Sequence, residues 1–98
     1  MSSGRVVLLT GAAGGLGTVM MTALLDAGHK FAALDRDAAA LDRLADRLKA
    51  QSENALFIGA DVSVEAECTS AIEETVAHFG SIDCLINNAG IASPKRGD

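Results

Sequence analysis

The sequence predicts an α/β domain: half of a doubly wound parallel sheet with helices on both faces, about four strands and three helices in all. Three observations carry this. Short apolar runs of strand length recur four times; stretches of helical periodicity separate them; and each run closes on glycine, aspartate or asparagine, the residues of turns and helix caps. Continuous apolar runs belong to strands covered on both faces, and strands alternating with helices of this length make right-handed parallel crossovers. With 98 residues the chain has room for one compact domain and for no separate second one.

Each element has its own local reason. Residues 5–10 (RVVLLT) are β-branched and apolar and end at a glycine-rich segment, which suits a buried first strand. A first helix is expected from Leu16, with Leu16, Val19, Met20, Ala23, Leu24 and Ala27 as its apolar stripe and Gly28 where a C-terminal cap belongs. Residues 31–34 (FAAL) form the second strand, closing on Asp35. Asp37 then stands near the N-cap of a second helix marked by Leu41, Leu44, Ala45 and Leu48. Residues 55–59 (ALFIG) make the third strand, ending at Asp61. Ser63 is placed to cap a third helix with stripe Cys68, Ile72, Val76 and Phe79, acidic Glu65 and Glu67 in its first turn, and Gly80 after it. Residues 82–87 (IDCLIN) give a fourth strand running into Asn87-Asn88-Ala89-Gly90. Residues 1–92 are thus expected as one partial domain, with 93–98 (SPKRGD) a loop or frayed tail.

Composition excludes several roles. A formal net charge of -5 argues against gripping nucleic acid through its phosphates, which needs a basic face. No apolar run reaches the roughly 20 residues of a membrane helix, and residues 1–4 carry no signal-peptide pattern; the expected address is cytoplasmic. Cys68 and Cys84 are too far apart for a paired redox or metal motif and are read as buried thiols. His29 and His78 lack spaced partners for a metal, and suit turns and helix ends. The charges on the second helix, Asp42, Arg43, Asp46, Arg47 and Lys49, fit a solvated face.

The chemistry-bearing segments all follow strands. TGAAGGLG, residues 10–17, lies between the first strand and first helix, where amides at a helix N-terminus can meet a phosphate and glycine lets it approach closely. A tight connection that binds nothing is the plainer alternative. A triphosphate-binding loop would need a lysine, but Thr18 follows Gly17; a GxGxxG reading from Gly15 puts Met20 at the third glycine. Asp35 can accept hydrogen bonds from a ribose diol and would repel a 2′-phosphate by about 4 kcal/mol per unit charge pair at close contact and an effective dielectric of about 20. The NAD form of a dinucleotide is therefore expected over NADP, with Arg36 as a counterweight that could turn toward a 2′-phosphate. Asp35 could otherwise be a turn or cap residue. Asp61 could bond an adenine amine, or only help Ser63 start the third helix. Asn87 and Asn88 stand at the carboxyl end of a strand, where open α/β sheets bind ligands; Asn87 is expected to anchor the loop and Asn88 to touch ligand.

TGxxxGxG after the first strand, an acid after the second, Asp61-Val62 after the third and NNAG after the fourth together resemble the classical short-chain dehydrogenase/reductase family, over nearly the whole chain to about Ile91. The doubled Gly14-Gly15 also satisfies the TGxxGxxG spacing of extended, epimerase-like members, and NNAG favours the classical group. The resemblance implies a Rossmann-like fold, N-terminal half only, and a cofactor site. Gly11, Gly14, Gly15 and Gly17 would shape the pyrophosphate turn, with Ala13 and Leu16 lining it. Asp35 would hold the ribose and Asp61 and Val62 the adenine, while Asn88, Ala89 and Gly90 would run along the ribose toward nicotinamide. In the family, hydride transfer between NAD(H) and an alcohol or carbonyl uses a serine and a Tyr-x-x-x-Lys pair downstream of NNAG. This chain contains no tyrosine, so no catalytic residue is assigned, and Ser93 and Lys95 are not put in its place. Two readings follow: the cofactor-binding part of such an oxidoreductase, as a fragment or truncated product, or a complete dinucleotide-binding or oligomerisation module without catalysis. A methyltransferase using S-adenosylmethionine is a chemical rival with similar acids but a different spelling of both motifs. The expected partners are a dinucleotide and, only in an intact enzyme, a small alcohol or carbonyl substrate; a homo-oligomer stays an open alternative, because the interfaces familiar in the family use later helices.

Overall fold

The structure, a computed structural model, describes residues 4–48 and 53–87. Seven elements alternate: β1 (Val6–Thr10), α1 (Gly15–Asp26), β2 (Lys30–Asp35), α2 (Ala38–Leu48), β3 (Ala55–Gly59), α3 (Glu65–Phe79) and β4 (Cys84–Asn87). All strand pairs are parallel and the sheet order is β3-β2-β1-β4, so β1 and β2 are central. The side on which strands are added switches at β1, which pairs with β2 on one side and β4 on the other. Register sets Thr10 opposite Leu34 and Asn87, and Asp35 opposite Gly59, so the carboxyl ends of all four strands share one edge.

Alternate strand residues feed two cores. On one face Val7, Leu9, Phe31, Ala33 and Ala55 pack with Met21 of α1 and Leu41 and Leu44 of α2. The ring of Phe31 meets Phe57 edge-on with centroids 5.8 Å apart. On the other face Leu8, Ala32, Leu34 and Ile58 pack with Ala60 and with Ala71 of α3. The predicted covering of both faces is therefore present, two helices on one and one on the other. No helix among the described residues is long and apolar enough to cross a membrane.

Helix ends follow the turn chemistry of the sequence. Gly28 takes φ 85°, its amide bonds Leu25 O at 3.0 Å and the His29 amide bonds Leu24 O at 2.9 Å, the paired closure that a left-handed glycine permits. Asp37 caps α2, its Oδ1 accepting from the Ala40 amide at 3.0 Å. His29 sits in the turn before β2, with Nδ1 accepting from the Arg5 amide at 3.0 Å, and His78 lies in the last turn of α3.

Four expectations are corrected. In α1 the buried residues are Gly17 and Met21, flanked by Met20, Leu24 and Leu25, while Leu16 and Val19 face outward and Val19 is 64% exposed. The reason is Gly17: a Cβ there would collide with the backbone of Ala12, so only a bare Cα can lie this close, and that contact turns the helix away from the stripe of larger residues. In α3 the buried residues are Ala71 and Thr75, whereas Ile72 and Val76 are 40% and 42% exposed. Small residues let the helix settle close to the sheet, and the Thr75 hydroxyl satisfies itself on Ala71 O at 2.8 Å, so its burial leaves no open donor. Ser63 is not the cap of α3: Val64 holds that position without a side-chain bond, and Ser63 turns to Asp61 instead.

The fourth correction concerns the cysteines: Cys84 is exposed, because β4 is an edge strand with no neighbour beyond it among the described residues, and Cys68 in α3 is only half-buried. Leu85, in register with Leu8 on the α3 face, is 61% exposed for the same reason. What fixes β4 is Asp83, whose Oδ2 accepts from the Val6 amide at 2.8 Å while its own amide donates to Val6 O at 2.8 Å. Residues 93–98, and Asn88, Ala89 and Gly90, lie outside the described residues.

Candidate functional site

The shared carboxyl edge carries a cavity of about 340 Å³ lined by Gly11, Asp35, Arg36, Ala60, Asp61, Val62 and Ser63. This lies in the range of small-ligand pockets, about 300–1,000 Å³, and its walls come from the segments that leave β1, β2 and β3. Four predicted site residues, Gly11, Asp35, Asp61 and Val62, meet there.

The glycine loop reaches it by a tight turn. Gly11 takes φ 64°, a left-handed conformation that suits glycine, and the Gly14 amide closes back on Gly11 O at 3.3 Å. The next two amides are tied to the end of β2: Ala12 donates to Leu34 O at 3.0 Å and Ala13 to Asp35 Oδ2 at 3.0 Å. The first helical bond of α1 runs from the Thr18 amide to Gly14 O at 3.1 Å. The amides of Gly15, Leu16 and Gly17 precede it and have no partner within the helix. A Cβ built on Gly15 would meet nothing within 4 Å, so the space on that side of Gly15 is open. Gly14, Gly15 and Leu16 are exposed, whereas Gly17 is buried where its bare Cα lets helix and loop touch.

On the opposite wall Asp61 is held through one carboxylate oxygen and through its amide. Oδ1 accepts from the Ser63 hydroxyl at 2.6 Å and the Ser63 amide at 3.0 Å, while the Asp61 amide donates to Glu67 Oε1 at 2.8 Å. The Ser63 hydroxyl and then its amide hold the Asp61 carboxyl below the ordinary carboxylate range; partial desolvation works the other way, and the Arg36 charge adds a smaller lowering. Because the folded value is depressed, ionised Asp61 supports the fold above the ordinary carboxylate pKa, and this support is lost as pH falls through the depressed value. Replacing Ser63 by alanine is therefore expected to raise the Asp61 titration midpoint toward the ordinary range, followed by carboxyl ¹³C shifts; an unmoved midpoint would remove Ser63 as the cause.

Val62 is half-buried and packs on the α3-side core, with part of it left to the cavity. Thr10 Oγ1 donates to Asn87 Oδ1 at 2.8 Å, tying the base of the glycine loop to the end of β4. Asn87 is thus an anchor, as expected. Sequence reasoning missed Ala60 as a wall residue; its signal was its place immediately after β3, where a small side chain leaves the cavity open.

A parallel sheet in the order β3-β2-β1-β4, with a glycine loop joining β1 to α1 and an acid ending β2, is the Rossmann-like class of fold. The family model for short chain dehydrogenase matches residues 5–97. A CLA biosynthesis dehydrogenase/reductase from Lactiplantibacillus plantarum is 40% identical over 92 residues, 94% of this chain and 32% of that protein. The crystal structure of 3-ketoacyl-(acyl-carrier-protein) reductase from Brucella melitensis complexed with NADH superposes with a TM-score of 0.76 at 36% identity, covering 85% of this chain and 33% of that one. NAD+-bound xylitol dehydrogenase gives a TM-score of 0.77 at 30% identity, covering 85% and 32%. The chain belongs to the short-chain dehydrogenase/reductase family and corresponds to the N-terminal portion of its fold, spanning about a third of the length of these relatives. The methyltransferase alternative finds no support among them.

Proposed function

We propose that this chain binds a nicotinamide dinucleotide across the carboxyl edge of its sheet, as the cofactor-binding part of an oxidoreductase acting on an alcohol or carbonyl. The observation that carries the reading is a cavity whose wall joins Gly11 of the glycine loop to Asp35 and Asp61, with that loop leading into the opening amides of α1, which lack a partner within the helix. The amides of Gly15, Leu16 and Gly17, with the positive end of the helix dipole, receive the pyrophosphate. Asp35 accepts from the adenosine ribose, Asp61 receives the adenine amine and Val62 packs on the ring, while Asn88, Ala89 and Gly90 carry the path toward the nicotinamide. Bound there, the dinucleotide supplies a hydride donor or acceptor. The 98 residues contain no tyrosine, so the acid–base pair of the family is not among them and the chain itself is assigned binding alone. We assign it a cytoplasmic location, consistent with its cysteine usage and charge.

The cavity wall holds the carboxylates of Asp35 and Asp61 against one guanidinium, that of Arg36, whose charge already acts on Asp61. This balance favours the diol of NAD over the dianionic 2′-phosphate of NADP. Titration of the purified chain with NADH is expected to give a saturable rise in nicotinamide fluorescence, with NADPH at least about tenfold weaker, the equivalent of roughly 1.4 kcal/mol. Equal affinities would overturn the preference, and no saturation at millimolar NADH would overturn the site.

A further inference from the structure

Asp35 is bonded to every segment that walls the cavity. Its Oδ2 accepts from the Ala13 amide in the glycine loop at 3.0 Å, its Oδ1 accepts from the Asp37 amide ahead of α2 at 3.0 Å, and its backbone oxygen accepts from the Ala60 amide after β3 at 3.0 Å. The bond to Ala13 differs from the others in what it orients. Ala12 is already held by Leu34 O, so a second tie at Ala13 fixes two consecutive peptide planes inside the Gly11–Gly14 turn that leads to Gly15, Leu16 and Gly17. A carboxylate accepting from an amide is a charge-assisted bond, stronger than its neutral counterparts in the loop. An ionised carboxylate has about four lone-pair sites and two are used here, so capacity for ribose hydroxyls remains.

We propose that Asp35 is a positioning residue for phosphate binding: through the Ala13 amide it holds the glycine loop in its binding shape before any ligand arrives, and so couples the ribose end of the site to the pyrophosphate end. This rests on the dinucleotide reading above and adds to it a role that does not need a ribose. The two roles differ in sign. A carboxylate that serves only the ribose leaves a ligand without the diol indifferent to its removal, and its negative charge, taken alone, opposes a phosphate. A carboxylate that holds the loop makes the same removal weaken that ligand.

The test compares ADP with 2′,3′-dideoxy-ADP on the wild-type chain, Asp35→Ala and Asp35→Asn, alongside ligand-free amide exchange measured by NMR. Asp35→Ala is expected to weaken dideoxy-ADP about tenfold, the scale of one charge-assisted bond, and to speed exchange at Ala13 while the amides of β1 keep their protection. Asp35→Asn retains one acceptor oxygen and is expected to recover much of both effects, while remaining weaker than wild type for ADP. Unchanged or tighter dideoxy-ADP binding in Asp35→Ala, or unchanged exchange at Ala13, would overturn the positioning role. Failure of the wild-type chain to bind either nucleotide would overturn the dinucleotide reading and the coupling with it, whereas a loss confined to ADP would leave that reading intact and refute only the coupling.

Discussion

Replacing Gly17 by alanine is expected to remove about 3 kcal/mol of stability, the upper end of what overpacking usually costs. A Cβ at this position would lie 2.8 Å from the Ala12 carbonyl carbon and 2.9 Å from its Cα, with the Ala12 oxygen nearer still. Those are backbone atoms held by the Ala12 bond to Leu34, so they cannot rotate aside as a flexible side chain would. Relief requires α1 to back away from the loop, which opens the core around Met21, a residue with no exposed surface. Small domains have only about 5–15 kcal/mol in hand, so the urea midpoint should fall by a large fraction. A midpoint within error of wild type would show that the loop and helix do not meet as described.

The second large effect is on ligand affinity and leaves stability nearly untouched. Gly15 begins α1, its Cβ direction is empty, and it is exposed, so Gly15→Val should fold with a thermal midpoint close to wild type. Its side chain would fill the space beside the amides assigned to the pyrophosphate. Losing even one charge-assisted phosphate contact is worth about 1.5–3 kcal/mol, or roughly 10- to 100-fold in Kd. NADH affinity measured by fluorescence or calorimetry should fall by that factor. Unchanged affinity in a folded Gly15→Val chain would place the phosphates elsewhere. The two glycines thus separate: one variant loses stability and the other loses affinity for the ligand.

Much of this arrangement was legible because strand and turn chemistry are local. The four strand-length runs, the left-handed Gly28 and Gly80, the Asp37 cap and the four segments at the carboxyl edge all follow from residues acting on near neighbours. The helix faces were not legible in the same way. Reading stripes from large apolar side chains gave Leu16 and Val19 in α1 and Ile72 and Val76 in α3, whereas α1 sits on the loop through Gly17 and in the core through Met21, and α3 buries Ala71 and Thr75. Close approach selects small residues, and a periodicity weighted by hydrophobicity undervalues them. Cys84 was misjudged for a different reason: an apolar strand reads as buried whether or not a neighbour covers its outer edge.

In the site, Asp35 and Asp61 were found by position, and the link between Asp61 and Ser63, two residues apart, was within local reach although its form, a turn and not a helix cap, was not foreseen. That Asp35 holds the Ala13 amide 22 residues earlier depends on how segments meet at the sheet edge. The cross-strand bond from Thr10 to Asn87 is of the same kind, linking residues 77 apart that parallel register sets side by side.

The most direct measurement of the central claim is a map of backbone amide shifts in a ¹⁵N-labelled chain during NADH addition. The largest saturable changes are expected at Gly15, Leu16 and Gly17, with a second group at Asp35, Arg36, Asp61 and Val62, and little change along β4 at Cys84 and Leu85. Shifts absent from the start of α1, or concentrated on the exposed β4 edge, would contradict a dinucleotide site at the carboxyl ends of β1, β2 and β3.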